Sequence, residues 1–320
     1  MSQPVLTDFR WVPGNGPDAN ALSRMAEVFT KPRTPMGEAW FMAEERHMYP
    51  ELLGSLDLLS DEQIVHPLEE IASGMSAFGP LEEWIEWYHY LLPRLLKRRW
   101  GPYIYHPVEL LVTGLVAQHP NTHGRRPYAQ FQNDVLETLG QYIMSPEFWQ
   151  IADDEVPGCF DKWEGPNGNC GWDIAEGLLS ASLFLCLKYL PSMLVGPWFH
   201  SVASISNIYW QAQLTVWLVG VHPILTNEIE QPAQLSEELH WSVGWNWSHV
   251  LAGDYTGKSE PSIKQIPFLP ARNREAVMDI ARQMAVGKFA AVLANPRLDR
   301  VSFENAGLEE RFMQLYRKTN

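Results

Sequence analysis

The sequence predicts an all-α fold, and three observations carry that expectation. Apolar residues recur at helical spacing through most of the chain, between turns marked by Pro and Gly. Alternating, strand-like patterns are nearly absent, since Tyr103–Tyr105 and Ile263–Phe268 are too short to build a sheet. Finally, the 51 residues from Gly177 to Asn227 hold one formally charged side chain, Lys188. With Trp198, Phe199, Tyr209 and Trp210 at its centre, that stretch must be sheltered from water.

The helices follow in order. Asp18 can cap a helix running to about Thr30, and Pro35 can open the next, to about His47. Ser60 with Gln63 is a capping-box pattern, after which Pro67 restarts the helix as a first-turn proline. From Pro80, residues Leu81, Trp84, Ile85, Tyr88, Leu91, Leu92 and Leu95 keep helical spacing. Acids come early in that helix and bases late, as the helix dipole prefers, and Pro93 should kink it. Further helices are expected at Pro107–Gln118, Tyr128–Ile143, Asp173–Leu190, Ser201–Val219, Leu235–Val250, Arg274–Leu293 and Leu308–Arg317. Glu155–Trp172 and Gly253–Pro270, with their Pro and Gly clusters, read as two long loops.

One internal similarity refines the architecture. Residues Ile64 to Met75 align with Ile104 to Leu115 at an offset of 40, with Ile, His, Pro, Glu and Gly identical. A helical period near 40 is what HEAT-like solenoids show. The pattern also has a mechanical reading: His caps, Pro occupies the first turn, and Glu favours the positive end. The expectation is a stack of antiparallel helix pairs with solenoid-like, HEAT-like character. Residues 1–252 would form the helical core domain and 253–270 a loop. Residues 271–320 would form a C-terminal helical segment packed on the same domain.

Composition narrows the function. The net charge is −14, and from Glu38 to Glu86 there are twelve acids against one base, Arg46. A basic group follows at Arg94, Lys97, Arg98 and Arg99, and the last fifty residues carry nine bases and six acids. Such a surface repels phosphates, which disfavours nucleic acid, and it attracts a basic protein. The chain start has neither a basic n-region nor an apolar h-region, which predicts no secretory signal peptide. Three Cys, at 159, 170 and 186, make a poor disulfide framework, so a cytoplasmic location is expected. Membrane insertion is not expected, because Lys188, Pro191, His200, Asn207, Gln211 and Gln213 interrupt the uncharged stretch.

Chemistry-bearing motifs are weak. His119-Pro-Asn-Thr-His123, with Asp134 downstream, has metal-ligand spacing, but Pro120 breaks the helix and no Glu lies between the histidines. Glu86-Trp-Tyr-His89 is a single Glu-x-x-His step, where a di-iron bundle needs two. Cys159 and Cys170 lack a Cys-x-x-Cys partner set. The tryptophans of His240–His249 could form a sugar or cation platform, although core packing accounts for them as well. Neither a P-loop, a dinucleotide fingerprint nor Gly-x-Ser-x-Gly is present. No metal and no cofactor is therefore assigned.

These observations lead to a cytoplasmic, acidic interaction module, neutralising or antitoxin-like toward a basic protein partner. Its binding residues are expected to be Glu69, Glu70, Glu82, Glu83 and Glu86. The alternative is a hydrolase whose His and carboxylate groups are gathered from several helices.

Overall fold

The computed structural model describes residues 11–12, 14–37, 47–77, 82–100, 106–120, 126–145, 160–164, 170–174, 177–235, 245–252, 267–286 and 307–317. The protein is mostly helical. Helix α1 spans Ala19–Val28, and Asp18 caps it, its Oδ1 accepting the Ala21 N–H at 2.7 Å. Helix α2 (Asp61–Ala77) opens on a reciprocal capping box: Ser60 N–H donates to Gln63 Oε1, and Gln63 N–H to Ser60 Oγ. Pro67 does not restart this helix. It lies inside one continuous α2, where its missing N–H costs a single hydrogen bond.

Helix α3 (Glu82–Leu95) runs antiparallel to α2. Gly74, late in α2, faces Trp84 at the start of α3, while Asp61 at the start of α2 meets Arg98 just past the end of α3 at 2.9 Å. Helix α4 (His106–Gln118) packs along α2 and also against α3 and α6. Its Gly114 faces the Tyr88 ring of α3, and the Tyr88 hydroxyl donates to Leu111 O at 2.6 Å. Gly74 and Gly114 occupy equivalent places in the 40-residue repeat. Each therefore receives an aromatic ring from α3, and Trp84 and Tyr88 are one turn apart.

Helix α5 (Phe131–Thr138) tightens into a 3-10 turn over Leu139–Met144, where a single helix was expected. The uncharged stretch forms α6 (Leu178–Tyr189), α7 (Ser192–Ala203) and α8 (Ile208–Leu225). The expected helix over 201–219 is instead two helices, because Asn207 Oδ1 accepts the Trp210 N–H at 3.0 Å and starts α8 afresh. Trp198, Phe199, Trp210 and Trp217 are all buried, and no helix among the described residues is long and apolar enough to cross a membrane. Lys188 sits at the edge of this core, where burial pushes its pKa down to about 8. It donates to Phe268 O at 3.2 Å and lies over the Phe268 ring at 4.2 Å.

Helix α9 (Ala271–Val286) packs on α7 and α8, and α10 (Leu308–Tyr316) on α8 and α9. Asn273 Nδ2 donates to the carbonyls of Leu187 and Leu190, closing the end of α6. Tyr316 donates to Leu218 O at 2.7 Å. At the other terminus, Trp11 N–H reaches Ser201 Oγ at 3.1 Å.

Two further expectations need correction. The helix predicted from Pro35 to His47 is replaced at its ends by a short antiparallel pair, β1 (Met36–Gly37) with β2 (His47–Met48). A helix would hold residues 36 and 48 about 18 Å apart, whereas the ladder sets them side by side. The first long loop contains an antiparallel hairpin, β3 (Phe160–Glu164) with β4 (Cys170–Ile174), in the register Phe160 to Ile174 and Glu164 to Cys170. The second long loop lies outside the described residues up to 266. Part of the helix expected over 235–250 does too, and its end is a 3-10 helix over Asn246–Ala252.

Candidate functional site

Two arrangements bring together residues that the sequence singled out. The first is acidic. Glu82, Glu83 and Glu86, at the start of α3, are exposed, and Glu69 and Glu70 of α2 are half-buried. The Gly74–Trp84 contact and the Asp61–Arg98 pair set the register of the two helices, which puts Glu69 and Glu70 midway along the α2–α3 hairpin and Glu82, Glu83 and Glu86 toward its turn. Tyr49 lies against Glu69 and Glu70, with Glu51 also near. Burial, and then the charges of Glu70, Glu51 and Glu69, push its hydroxyl pKa up. Tyr49 is one of two described non-glycine residues with positive φ, at 54°, immediately before Pro50.

The basic residues in and just after the last turn of α3 are engaged internally. Arg94 donates to the carbonyls of Phe29, Tyr90 and Ala26 and stacks on the Tyr90 ring. Arg98 donates to Asp61 and to the carbonyls of Leu56 and Leu59. On the exposed side of α2, His66 lies 3.5 Å from Glu69.

The second arrangement is a histidine pair. His89, on α3, comes from the Glu-x-x-His step, and His119, just past α4, comes from the His-Pro-Asn-Thr-His motif. Their Nε2 atoms stand 3.3 Å apart. His89 is buried and stacks on Phe29 at 4.6 Å between centroids, with planes 8° apart. Phe131 meets both imidazoles, at 5.6 Å from His89 and 5.0 Å from His119. The His119 carbonyl accepts the Tyr189 hydroxyl at 2.6 Å. Burial, reinforced by the neighbouring His119, pushes the His89 pKa down to about 3, so its ring is neutral near pH 7.

Asp134 lies close by, on the α5 turn that carries Phe131, but it is committed elsewhere. Arg24 holds it bidentately, Nη2 to Oδ1 at 2.6 Å and Nε to Oδ2 at 3.3 Å, and Tyr128 donates to Oδ2 at 2.7 Å. The bond to Asp134 is the largest cause raising the Arg24 pKa. Glu137 is raised by burial and by the like charges of Asp18 and Asp134. Asp134 therefore buttresses α1 against α5 and does not orient a histidine.

The remaining candidates fall out differently. His123, Cys159 and Trp241 lie outside the described residues. Cys186 is buried beside Gly140, and burial raises its thiol pKa. Trp245 is a core residue, packed against Phe184 and Phe268 with its Nε1 donating to Thr113 Oγ1. Among the described residues, no three His, Cys, Asp or Glu side chains converge as a metal cluster. The pairing of His89 with His119 had no local signal in the sequence, because the residues are 30 apart and meet through packing alone. No protein-family model, curated protein or solved structure matches the chain.

Proposed function

We propose that the protein is a cytoplasmic helical interaction module that docks a basic protein partner, in a neutralising or antitoxin-like role. The supporting observation is that acids of the α2–α3 hairpin are open to solvent while its bases are engaged internally. Glu82, Glu83 and Glu86 are exposed and Glu69 and Glu70 half-buried, whereas Arg94 and Arg98 are spent on internal carbonyls and Asp61. Such a surface steers a basic partner and raises its on-rate. The same reading includes a stack of antiparallel helix pairs with solenoid-like character, for which the repeat-related α2 and α4 flanking α3 are the support.

The test is a variant with all five acids changed to Gln, assayed against a partner captured from the source cells. Association should slow, by about tenfold at low salt, and lose most of its salt dependence. Melting should stay within a few degrees of the parent, because exposed charges contribute little to stability. An unchanged on-rate would remove this face as the docking site.

A second reading, a hydrolase with histidines drawn from several helices, is favoured by one observation: the convergence of His89 and His119.

A further inference from the structure

We propose that His89 and His119 form a two-imidazole seat for a divalent transition-metal ion of the zinc, copper or nickel class. The distance is the first argument. Two nitrogens on one edge of a tetrahedron with zinc-length bonds of about 2.0–2.1 Å stand about 3.3–3.4 Å apart. The two Nε2 atoms are 3.3 Å apart, which without a metal is a long N–H···N hydrogen bond whose donor depends on the tautomer.

Preorganisation is the second argument. The His89 ring is held by the Phe29 stack and the edge of Phe131, and the backbone of His119 is pinned by Tyr189. The two nitrogens are therefore held near each other with little search through rotamers. Chemistry is the third. Imidazole suits zinc, copper and nickel, and it binds as the neutral ring.

Two protein ligands leave other coordination positions for water or an incoming group, which is the arrangement of an open rather than a closed site. Asp134 does not supply a ligand, since Arg24 and Tyr128 occupy its carboxylate. The inference is independent of the docking surface, because the acidic residues of that face play no part in it.

The experiment titrates the full chain with zinc, copper(II) and nickel(II) against a chromophoric chelator at pH 7.5. The expected result is one competing equivalent for the parent. His119→Gln and His89→Phe should each weaken it by at least about tenfold, the scale on which metal sites respond even to loss of a supporting group. His89→Phe keeps a ring on Phe29. Should it fail to fold, His119→Gln, at a partly buried position, decides alone. No competition by the parent would overturn the proposal and leave the pair as a plain imidazole contact. Undiminished binding in His119→Gln would also overturn it, by moving the metal to surface histidines.

Discussion

Helices α2 and α4 carry the same twelve-residue pattern, yet one faces water and the other is enclosed. The backbone roles are shared. Ser73 and Thr113 are equivalent, and each hydroxyl donates back to the carbonyl of the equivalent glutamate, Glu69 or Glu109, at 2.9 Å. Gly74 and Gly114 each make room for a ring of α3. The surroundings differ. Helix α4 lies between α2 and α6 and is buried from 107 to 116, whereas α2, although it too meets the 246–252 segment, exposes Glu62, Gln63 and His66. Glu69 accordingly stays near the surface beside His66, while Glu109 is fully buried and accepts the Trp247 N–H at 3.1 Å. One residue type at one helical position is thus a surface charge in one copy and an internal acceptor in the other. Local sequence sets what the helix does to itself, and packing sets what it does for the molecule.

The glycines give the largest test. A Cβ at Gly74 would fall on the buried Trp84 ring, which has no solvent to move into. At Gly114 the added carbon would stand 2.8 Å from Tyr88 Cε2, a conflict that a small ring shift relieves. Gly74→Ala should therefore cost about 3 kcal/mol or more and Gly114→Ala about 1 kcal/mol, within the range for overpacked cores. Chemical denaturation of both variants measures the difference. Equal losses would mean that the two ring contacts are equivalent after all.

The glutamates come next. Glu109→Ala removes a buried acceptor and leaves the Trp247 amide to find another, which should cost about 2 kcal/mol. Glu69→Ala should change stability by less than about 0.5 kcal/mol, as surface positions do. If Glu69→Ala were as damaging as Glu109→Ala, the contrast between an open α2 and an enclosed α4 would fail.

The features that the sequence disclosed are the local ones. The Asp18 cap and the Ser60–Gln63 box lie within a turn of the groups they serve, so spacing alone reveals them. The helix carrying Trp84, Tyr88 and Leu91 was legible because its buried stripe repeats every three to four residues. The burial of most of 177–227 was legible because a single charge, Lys188, falls within three successive helices. What stayed hidden depends on partners distant in the chain. Met36 meets Met48 through a ladder, His89 meets His119 across 30 residues, and Trp245 reaches Thr113 across 132. Glu69 and Glu109 occupy one position of the repeat, and only their more or less polar neighbours, Glu70 against Leu110, hint at the difference. The break between α7 and α8 was visible in principle, because Asn207 is a good N-cap residue placed three before Trp210.

The smallest effect separates the two hydroxyls. Ser73 and Thr113 make the same back-bond along their own helices, and such bonds add little to helix stability. Thr113 does one thing more: its oxygen accepts the Nε1–H of Trp245, a buried indole packed against Phe184 and Phe268. Thr113→Val keeps the shape and removes the acceptor, so the indole N–H is left buried without its partner. The cost should be about 1–2 kcal/mol, the penalty for one unsatisfied buried donor. Ser73→Ala removes the back-bond and should change stability by less than about 0.5 kcal/mol in either direction. The indole offers a second readout, since loss of its hydrogen bond should alter the near-UV signal of the aromatic core in Thr113→Val and leave Ser73→Ala unchanged. A silent Thr113→Val would show that Trp245 is held by ring packing alone, and that the enclosure of α4 rests on shape rather than on its polar face.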